Sequence, residues 1–201
     1  MKSHTLSLLL PVWLMFFLAN PLTAQKNRFS PFQLEARYFD DPKVKDGMTF
    51  VEEGITYRVI NNAFNRGLKI IDSKKTERWH GVVFTYSGGK LTHKASYQNG
   101  VLDGPYEFYY SKNGNVFIKR QYVDGLREGM EYEFYTEGGI RSEAPYTNDL
   151  LHGEKKYYHS PEKGQLQGPI SITAPYEHGK AVGEAVQYDR SGKVVARWKN
   201  K

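Results

Sequence analysis

The chain has 201 residues, of which 25% are charged and 14% aromatic, a formal net charge of +6 and no cysteine. This length predicts one domain with at most a small appendage, and the absence of cysteine excludes a disulfide framework and a lipidated cysteine. Basic and acidic residues are interspersed without a long Lys/Arg run, which predicts a solvated surface and argues against nucleic acid as a partner.

Residues 1–24 have the order of a secretory signal. Lys2 stands near the start, an apolar run extends from Leu6 to Leu18, and a small residue, Ala24, follows a pair of breakers. These are the three parts of a signal peptide. The alternative is an uncleaved membrane anchor, but the apolar run is shorter than the roughly 20 residues that a bilayer core requires. We therefore expect cleavage after Ala24 and a periplasmic or secreted protein.

Residues 25–78 precede the regular part of the chain and lack its pattern. The stretch MTFVEEGITYRVI predicts two short strands about a Glu-Gly turn, and NNAFNRGLKIIDSKKTERW predicts either a helical turn or a degenerate hairpin. We expect a short β or α+β cap that covers the first strand of the array that follows, because repeat arrays need terminal units. A separate small functional domain is the alternative.

Residues 79–201 contain a repeat of about 25 residues that is anchored on glycine. The anchors are Gly81, Gly104, Gly129, Gly153 and Gly183, and an aromatic residue lies five positions after each: Tyr86, Tyr109, Phe134, Tyr158 and Tyr188. Seven positions before the last four anchors stand Tyr97, Tyr122, Tyr146 and Tyr176, and Trp198 takes that position in a last, truncated unit. Further turn glycines recur at Gly100, Gly125 and Gly179 before the anchors and at Gly114, Gly139 and Gly192 after them.

Each unit has the composition of a β-hairpin. Runs such as PYEFYY and KVVARW favour strands, and Asn-Gly, Asp-Gly and Gly-Gly pairs tolerate the positive φ angles of tight turns. We expect strand, tight turn and strand in about five units, joined by longer connections such as NGVLDG and DGLREG. Because a lone hairpin is marginal in water, the predicted fold is an all-β meander of consecutive hairpins in an elongated, twisted antiparallel sheet.

The pattern Tyr-x-[Asn/Asp]-Gly-x-x-x-Gly with an aromatic residue five positions on resembles the MORN-repeat variant of bacterial proteins. Chains with this variant are often grouped as YwqK-type antitoxins. The resemblance covers Trp79 to Lys201. It implies a single-layered or twisted antiparallel sheet that serves as a binding or scaffolding surface.

The sequence favours a protein without reactive chemistry. Three histidines, His80, His152 and His178, lie beside or near turn glycines without forming a close pair, and we interpret them as turn residues rather than metal ligands. Glu131 and Glu133 share one face of a strand, which we expect to be solvated. We therefore expect no catalytic residue, no metal, no cofactor and no enzyme activity.

The candidate binding surface is the aromatic ladder, which we define as Tyr86, Tyr109, Phe134, Tyr158 and Tyr188. The ladder should follow one face of the sheet, either as the core of a thin sheet or as an exposed platform, since one layer cannot bury both faces. We expect a non-enzymatic exported protein that binds an unidentified protein partner. The alternatives are a structural protein associated with envelope glycan or the membrane periphery, and an antitoxin-like inhibitor of a partner toxin.

Overall fold

The computed structural model describes residues 39–199, which form one antiparallel sheet of sixteen strands and contain no α-helix. This confirms the predicted all-β meander. No helix within this range is long and apolar enough to cross a membrane. The predicted signal segment and the first part of the predicted cap lie outside the described residues.

The strands follow one another along the sheet in chain order. Their bounds are β1 Thr49–Glu52, β2 Ile55–Asn61, β3 Asn65–Ile71, β4 Glu77–Ser87, β5 Lys90–Gln98, β6 Val101–Tyr109, β7 Val116–Val123, β8 Leu126–Arg127, β9 Gly129–Phe134, β10 Ile140–Thr147, β11 Leu150–Leu151, β12 Gly153–Tyr158, β13 Ile170–Glu177, β14 Lys180–Ala181, β15 Glu184–Tyr188 and β16 Val194–Lys199. The two-residue strands β8, β11 and β14 pair with β7, β10 and β13, and each leads into the next full strand. The sheet is open, with β1 and β16 at the ends of the order.

Two-residue turns join successive hairpins at one end of the strands, which we call the turn end. Their residues are Asn99-Gly100, Asp124-Gly125, Asn148-Asp149 and His178-Gly179, and both residues of each turn have positive φ. This is the type I′ geometry that suits the twist of a hairpin. The expectation that segments such as NGVLDG form longer connections was therefore wrong. Each of these segments contains a tight turn, a short paired stretch and a bulge at the anchor glycine. At Gly104, for example, φ is +108°.

The other end of the strands carries most of the longer connections, and we call it the loop end. Its loops are residues 88–89, 110–115, 135–139, 159–169 and 189–193. The longest of them, residues 159–169, contains most of the stretch SPEKGQLQGPIS, which is an insertion relative to the other units. Every predicted turn glycine has positive φ: Gly81, Gly100, Gly104, Gly114, Gly125, Gly129, Gly139, Gly153, Gly179, Gly183 and Gly192.

The register divides the strands into two faces. Face A carries small side chains in a row across the sheet, and face B carries the aromatic ladder. The buried members of the face A row are Val83, Ala95, Ala144, Ala174 and Ala185. Small residues suit this row because longer side chains from the strands between them, such as Tyr106 and Lys155, lie in the same row.

The segment before the repeats continues the same sheet. β1 and β2 turn at Glu53-Gly54, as expected, and the second stretch forms the degenerate hairpin of β3 and β4 rather than a helical turn. The side-chain amide of Asn61 donates to the carbonyl oxygens of Phe39 and Val44, at 2.9 and 3.0 Å. Phe39 packs edge-on against Phe84, with ring centroids 6.4 Å apart. Residues 39–48 thereby cover the apolar side chains at the start of the array.

Candidate functional site

The five ladder residues lie on face B near the loop end. Tyr158 is buried and the other four are half-buried. Each ladder residue pairs across its hairpin with an aliphatic residue next to a one-residue register shift, and these partners are Leu91, Val116, Ile140, Ile170 and Val194. Ring contacts in the described part of the chain join no two ladder members directly. The ladder is thus a series of separate aromatic–aliphatic pairs, one in each hairpin.

Polar groups of the sheet already bind several of the ladder side chains. The Tyr109 hydroxyl donates to Oε2 of Glu107 at 2.5 Å, and burial together with this bond raises the pKa of Tyr109 well above its usual range. Burial and a hydrogen bond with Glu143 raise the pKa of Tyr158 in the same way. The guanidinium of Arg66 lies 5.0 Å from the ring centre of Tyr86. These contacts favour a packing role for the ladder.

The second set of aromatic residues lies on face A near the turn end. Four of its tyrosines pair across a hairpin with an anchor glycine: Tyr97 with Gly81, Tyr122 with Gly104, Tyr146 with Gly129 and Tyr176 with Gly153. A ring that faces a residue without a side chain can lie close to the backbone of its neighbour. This pairing explains why tyrosine and glycine recur together in the sequence.

A buried ion pair lies in the middle of face A. Glu131 is 8% exposed, and its Oε2 is 3.0 Å from Nε of Arg120, although the geometry at Nε is not that of a hydrogen bond. The Arg120 guanidinium is 5.3 Å from the ring centre of Tyr106. The expectation that Glu131 and Glu133 form a solvated face was therefore wrong for Glu131, because a strand neighbour supplies its counter-charge. Glu133 is half-buried, 3.9 Å from Arg141.

The three histidines occupy positions at the turn end. His80 is buried, which lowers its pKa, and its Nδ1 accepts a long hydrogen bond from the backbone N–H of Asn99 at 3.4 Å. The rings of His152, which follows β11, and His178, the first residue of the next turn, lie 5.0 Å apart. No group of three His, Asp or Glu side chains in the described residues could hold a metal ion. Of the three, only His178 is a turn residue, because His80 lies within β4 opposite Leu68 and His152 lies between β11 and β12.

An exposed apolar row at the turn end of face B was not predicted. It consists of Val101, Val123, Leu126 and Leu150, which are 42% to 48% exposed, and we call it the turn-end stripe. Val101 and Leu150 lie against the next turn, since a Cβ placed on Gly125 or Gly179 would be 3.2 or 3.5 Å from them. The signal was present in NGV, DGL and NDL, where an aliphatic residue directly follows each turn.

Backbone hydrogen bonds fix the turns that carry the stripe. The N–H of the second turn residue donates to a carbonyl of the preceding unit: Gly100 to Trp79, Gly125 to Leu102, Asp149 to Arg127 and Gly179 to Leu151, all at 2.8 or 2.9 Å. Where aspartate replaces glycine, at Asp149, Arg127 replaces the aliphatic residue and forms an ion pair with it. Arg127 also lies 4.0 Å from the ring centre of Tyr146.

Most charged side chains around the stripe are acidic, although Lys180 lies opposite Glu177 at one end. Asp103 and Glu177 belong to face B at the turn end, and Asp124 is the first residue of a turn. No lysine or arginine among residues 39–199 makes an ion pair with any of these three. Glu128 accepts a hydrogen bond from the Asn148 backbone N–H at 2.9 Å. The stripe is thus an apolar surface with an acidic border on a chain whose net charge is positive.

A cleft of about 800 Å³ opens at the loop end between residues 135–139 and 160–166. The long loop is held by hydrogen bonds from the Ile140 backbone N–H to the Leu166 carbonyl at 2.9 Å and from the Tyr135 hydroxyl to the Tyr158 carbonyl at 2.6 Å. Leu166 is 84% exposed beside it. The cleft depends on how the insertion folds back, which the sequence pattern does not encode.

Comparison with known proteins identifies no family. No family model matches the chain, and no curated protein matches it. Among solved structures, it is similar to a point mutant of S. aureus TarM in complex with fondaparinux, α-GlcNAc-glycerol and UDP. The match has 12% identity and a TM-score of 0.21 and covers 79% of this chain and 22% of the TarM chain. The chain thus spans about a fifth of that protein, and a likeness at this level carries no functional argument.

Proposed function

We propose that the protein is a non-enzymatic repeat scaffold whose sheet binds another protein, and that the turn-end stripe is its contact surface. The observation that supports this most directly is the alignment of four exposed aliphatic side chains at successive turns. Single exposed aliphatic residues are ordinary on protein surfaces. A row of such residues at three successive turns, with a polar border, is instead a candidate interaction surface.

The stripe supports this proposal better than the ladder does. Four stripe residues are more than two-fifths exposed, whereas the ladder is buried or half-buried and two of its hydroxyls are occupied by Glu107 and Glu143. A partner that bound the ladder would displace these hydrogen bonds without replacing them, which costs free energy. The signal-like order of residues 1–24 supports export, so the partner belongs to the periplasm, the cell surface or the medium.

A second candidate function rests on the loop end. Lys90, Lys112 and Lys193 lie on or beside loops next to the half-buried ladder rings. Basic and aromatic side chains together suit anionic glycan or the headgroups at the membrane periphery. An antitoxin-like role is the special case of the first proposal in which the bound protein is a toxin.

The test is crosslinked capture from envelope fractions with the full chain and two matched variants. Leu126→Ser/Leu150→Ser alters the stripe, and Val51→Ser/Val195→Ser alters two exposed valines outside it. Thermal unfolding verifies that both variants fold. We expect the native chain and the control to capture the same protein and the stripe variant to lose it. Equal capture by the stripe variant would refute the proposal. Salt-sensitive binding to anionic vesicles that is lost in Lys90→Gln/Lys112→Gln would favour the second candidate.

A further inference from the structure

We infer that the turn-end stripe binds a basic amphipathic α-helix laid across the strands, an inference that rests on the proposed protein-binding function. Val101, Leu126 and Leu150 each follow a turn, so the chain presents one such residue in each of three successive hairpin units, while Lys180 follows the fourth turn. The stripe therefore has a repeat distance of its own, and that distance constrains what can bind along it.

The repeat distance matches a helix. Val101, Leu126 and Leu150 belong to strands that are two positions apart in the sheet order, counting each short strand with the full strand it precedes. Two inter-strand spacings amount to about 9.6 Å. Residues i and i+7 of an α-helix lie on the same side and are about 10.5 Å apart. A helix of about fifteen residues thus places three apolar side chains, at i, i+7 and i+14, near the three stripe residues.

An extended segment does not fit the same distance. Three residues of a strand span about 10 Å, but residues i and i+3 point to opposite sides. Residues i and i+2 share a side at about 6.7 Å, and i and i+4 at about 13.4 Å, and both spacings miss the stripe. The observed spacing therefore favours helix-in-groove recognition over addition of a strand.

The border of the stripe determines the charge of the helix. Asp103, Asp124 and Glu177 make no ion pair within residues 39–199, and Glu128 lies nearby. Lysine or arginine beside the apolar positions of the helix would meet these carboxylates. The net charge of +6 acts in the opposite direction, so attraction of a basic helix would have to come from this local border.

The turns hold the stripe in place before any partner binds. Each turn donates a backbone hydrogen bond of 2.8 or 2.9 Å to the preceding unit. Side chains on a fixed backbone lose little further freedom on binding, which favours affinity.

The probe is a synthetic helical peptide with leucine at every seventh position and flanking lysines, added to the full chain. One control peptide carries glutamate in place of each lysine. The other has the same composition, but its leucines are moved together to alternate positions, as on one side of a strand. Because the chain has no cysteine, Lys180→Cys accepts a fluorophore at one end of the stripe without altering its apolar residues. Fluorescence anisotropy and the response of this label report binding.

We expect the lysine peptide to bind at least ten-fold more tightly than either control peptide, with an affinity that falls as salt rises. Leu126→Ser/Leu150→Ser should weaken binding at least ten-fold, and Val51→Ser/Val195→Ser should change it less than two-fold. Asp103→Asn/Asp124→Asn should weaken binding several-fold and reduce its salt dependence. If Leu126→Ser/Leu150→Ser does not fold, Asp103→Asn/Asp124→Asn and the fluorophore at position 180 still show whether the peptide binds at the stripe.

Equal binding of the control peptides, or unchanged binding to the stripe and border variants, would overturn the helix assignment. The two proposals can fail separately. If capture of an envelope protein depends on the stripe but peptide binding does not, the helix assignment is wrong and the protein-binding function stands. If neither depends on the stripe, both are wrong.

Discussion

The hydroxyl groups of the ladder tyrosines have different partners, and the partner of Tyr109 gives the first prediction. Burial alone would raise the pKa of Glu107, but hydrogen bonds from Tyr109 and Lys119 outweigh it and lower that pKa. A carboxylate with a lowered pKa stabilises the fold above its unfolded-state pKa, and this contribution is lost as pH falls through the folded-state pKa. Tyr109→Phe should therefore destabilise the protein by about 2 kcal/mol at neutral pH, and by much less once the pH is low enough to protonate Glu107 in the folded protein.

Urea unfolding at pH 7 and pH 3 measures this difference. Tyr86→Phe is the matched control, because Tyr86 is a half-buried ladder residue whose hydroxyl makes no hydrogen bond with any of residues 39–199. Its effect should be small at both pH values. A Tyr109→Phe penalty that is the same at pH 3 and pH 7 would show that Glu107 is not the partner that matters.

The ion pair of Arg120 and Glu131 gives the second prediction. Their side chains are 20% and 10% exposed, so removal of one charge leaves the other poorly solvated. Arg120→Met should cost about 3 kcal/mol, and Arg120→Met/Glu131→Met should recover most of that loss, because replacing both charges with apolar side chains removes the desolvation penalty. Chemical denaturation of the two single variants and the double variant measures the coupling. Strictly additive effects would contradict this account.

At the scale of the element, one turn departs from the other three. Aspartate stands at 149, where the equivalent turns have glycine, and Arg127 stands where Leu102 and Leu151 do. Arg127→Leu should cost about 1 kcal/mol, since it removes the ion pair and the contact with Tyr146. Arg127→Leu/Asp149→Gly should be as stable as the native chain, because it restores the leucine–glycine combination of the neighbouring units and relieves the positive φ of Asp149.

Thermal unfolding of the single and double variants tests this exchange. Asp149→Asn alone is the control, since asparagine tolerates positive φ but cannot form the ion pair with Arg127. If the glycine double variant is less stable than Arg127→Leu alone, the two positions do not compensate each other.

The features that could be predicted from the sequence are those that depend on adjacent residues. Turns and strands follow from Asn-Gly pairs and aromatic runs, because positive φ and strand preference are properties of a few adjacent residues. The burial of Glu131 depends on Arg120 in the neighbouring strand, and the exposure of Leu126 depends on how successive turns stack. The sequence therefore predicted the hairpins and the grouping of the ladder on one face, but neither the ion pair nor the stripe.

At the scale of the whole molecule, the linear order of strands determines how stability is distributed. Each full strand from β2 to β15 pairs with the strands on either side of it, and no strand returns to an earlier part of the sheet. In such an array, the stability of each unit depends on that unit and its neighbours, so one hairpin can unfold while distant hairpins stay folded. Most side chains of β16 are exposed, which makes the last hairpin the most easily opened of the five.

The fourth prediction follows from this order. Ala185 is 2% exposed on face A of β15, and Ala185→Asp would bury a charge there without a partner. Hydrogen exchange followed by mass spectrometry should show at least a hundred-fold loss of protection in Glu184–Tyr188 and Val194–Lys199, and less than three-fold change in Glu77–Ser87 and Lys90–Gln98. Gln187→Asp, at an exposed position of the same strand and face, should change little. Uniform loss of protection in Ala185→Asp would show instead that the sheet unfolds as a single cooperative unit.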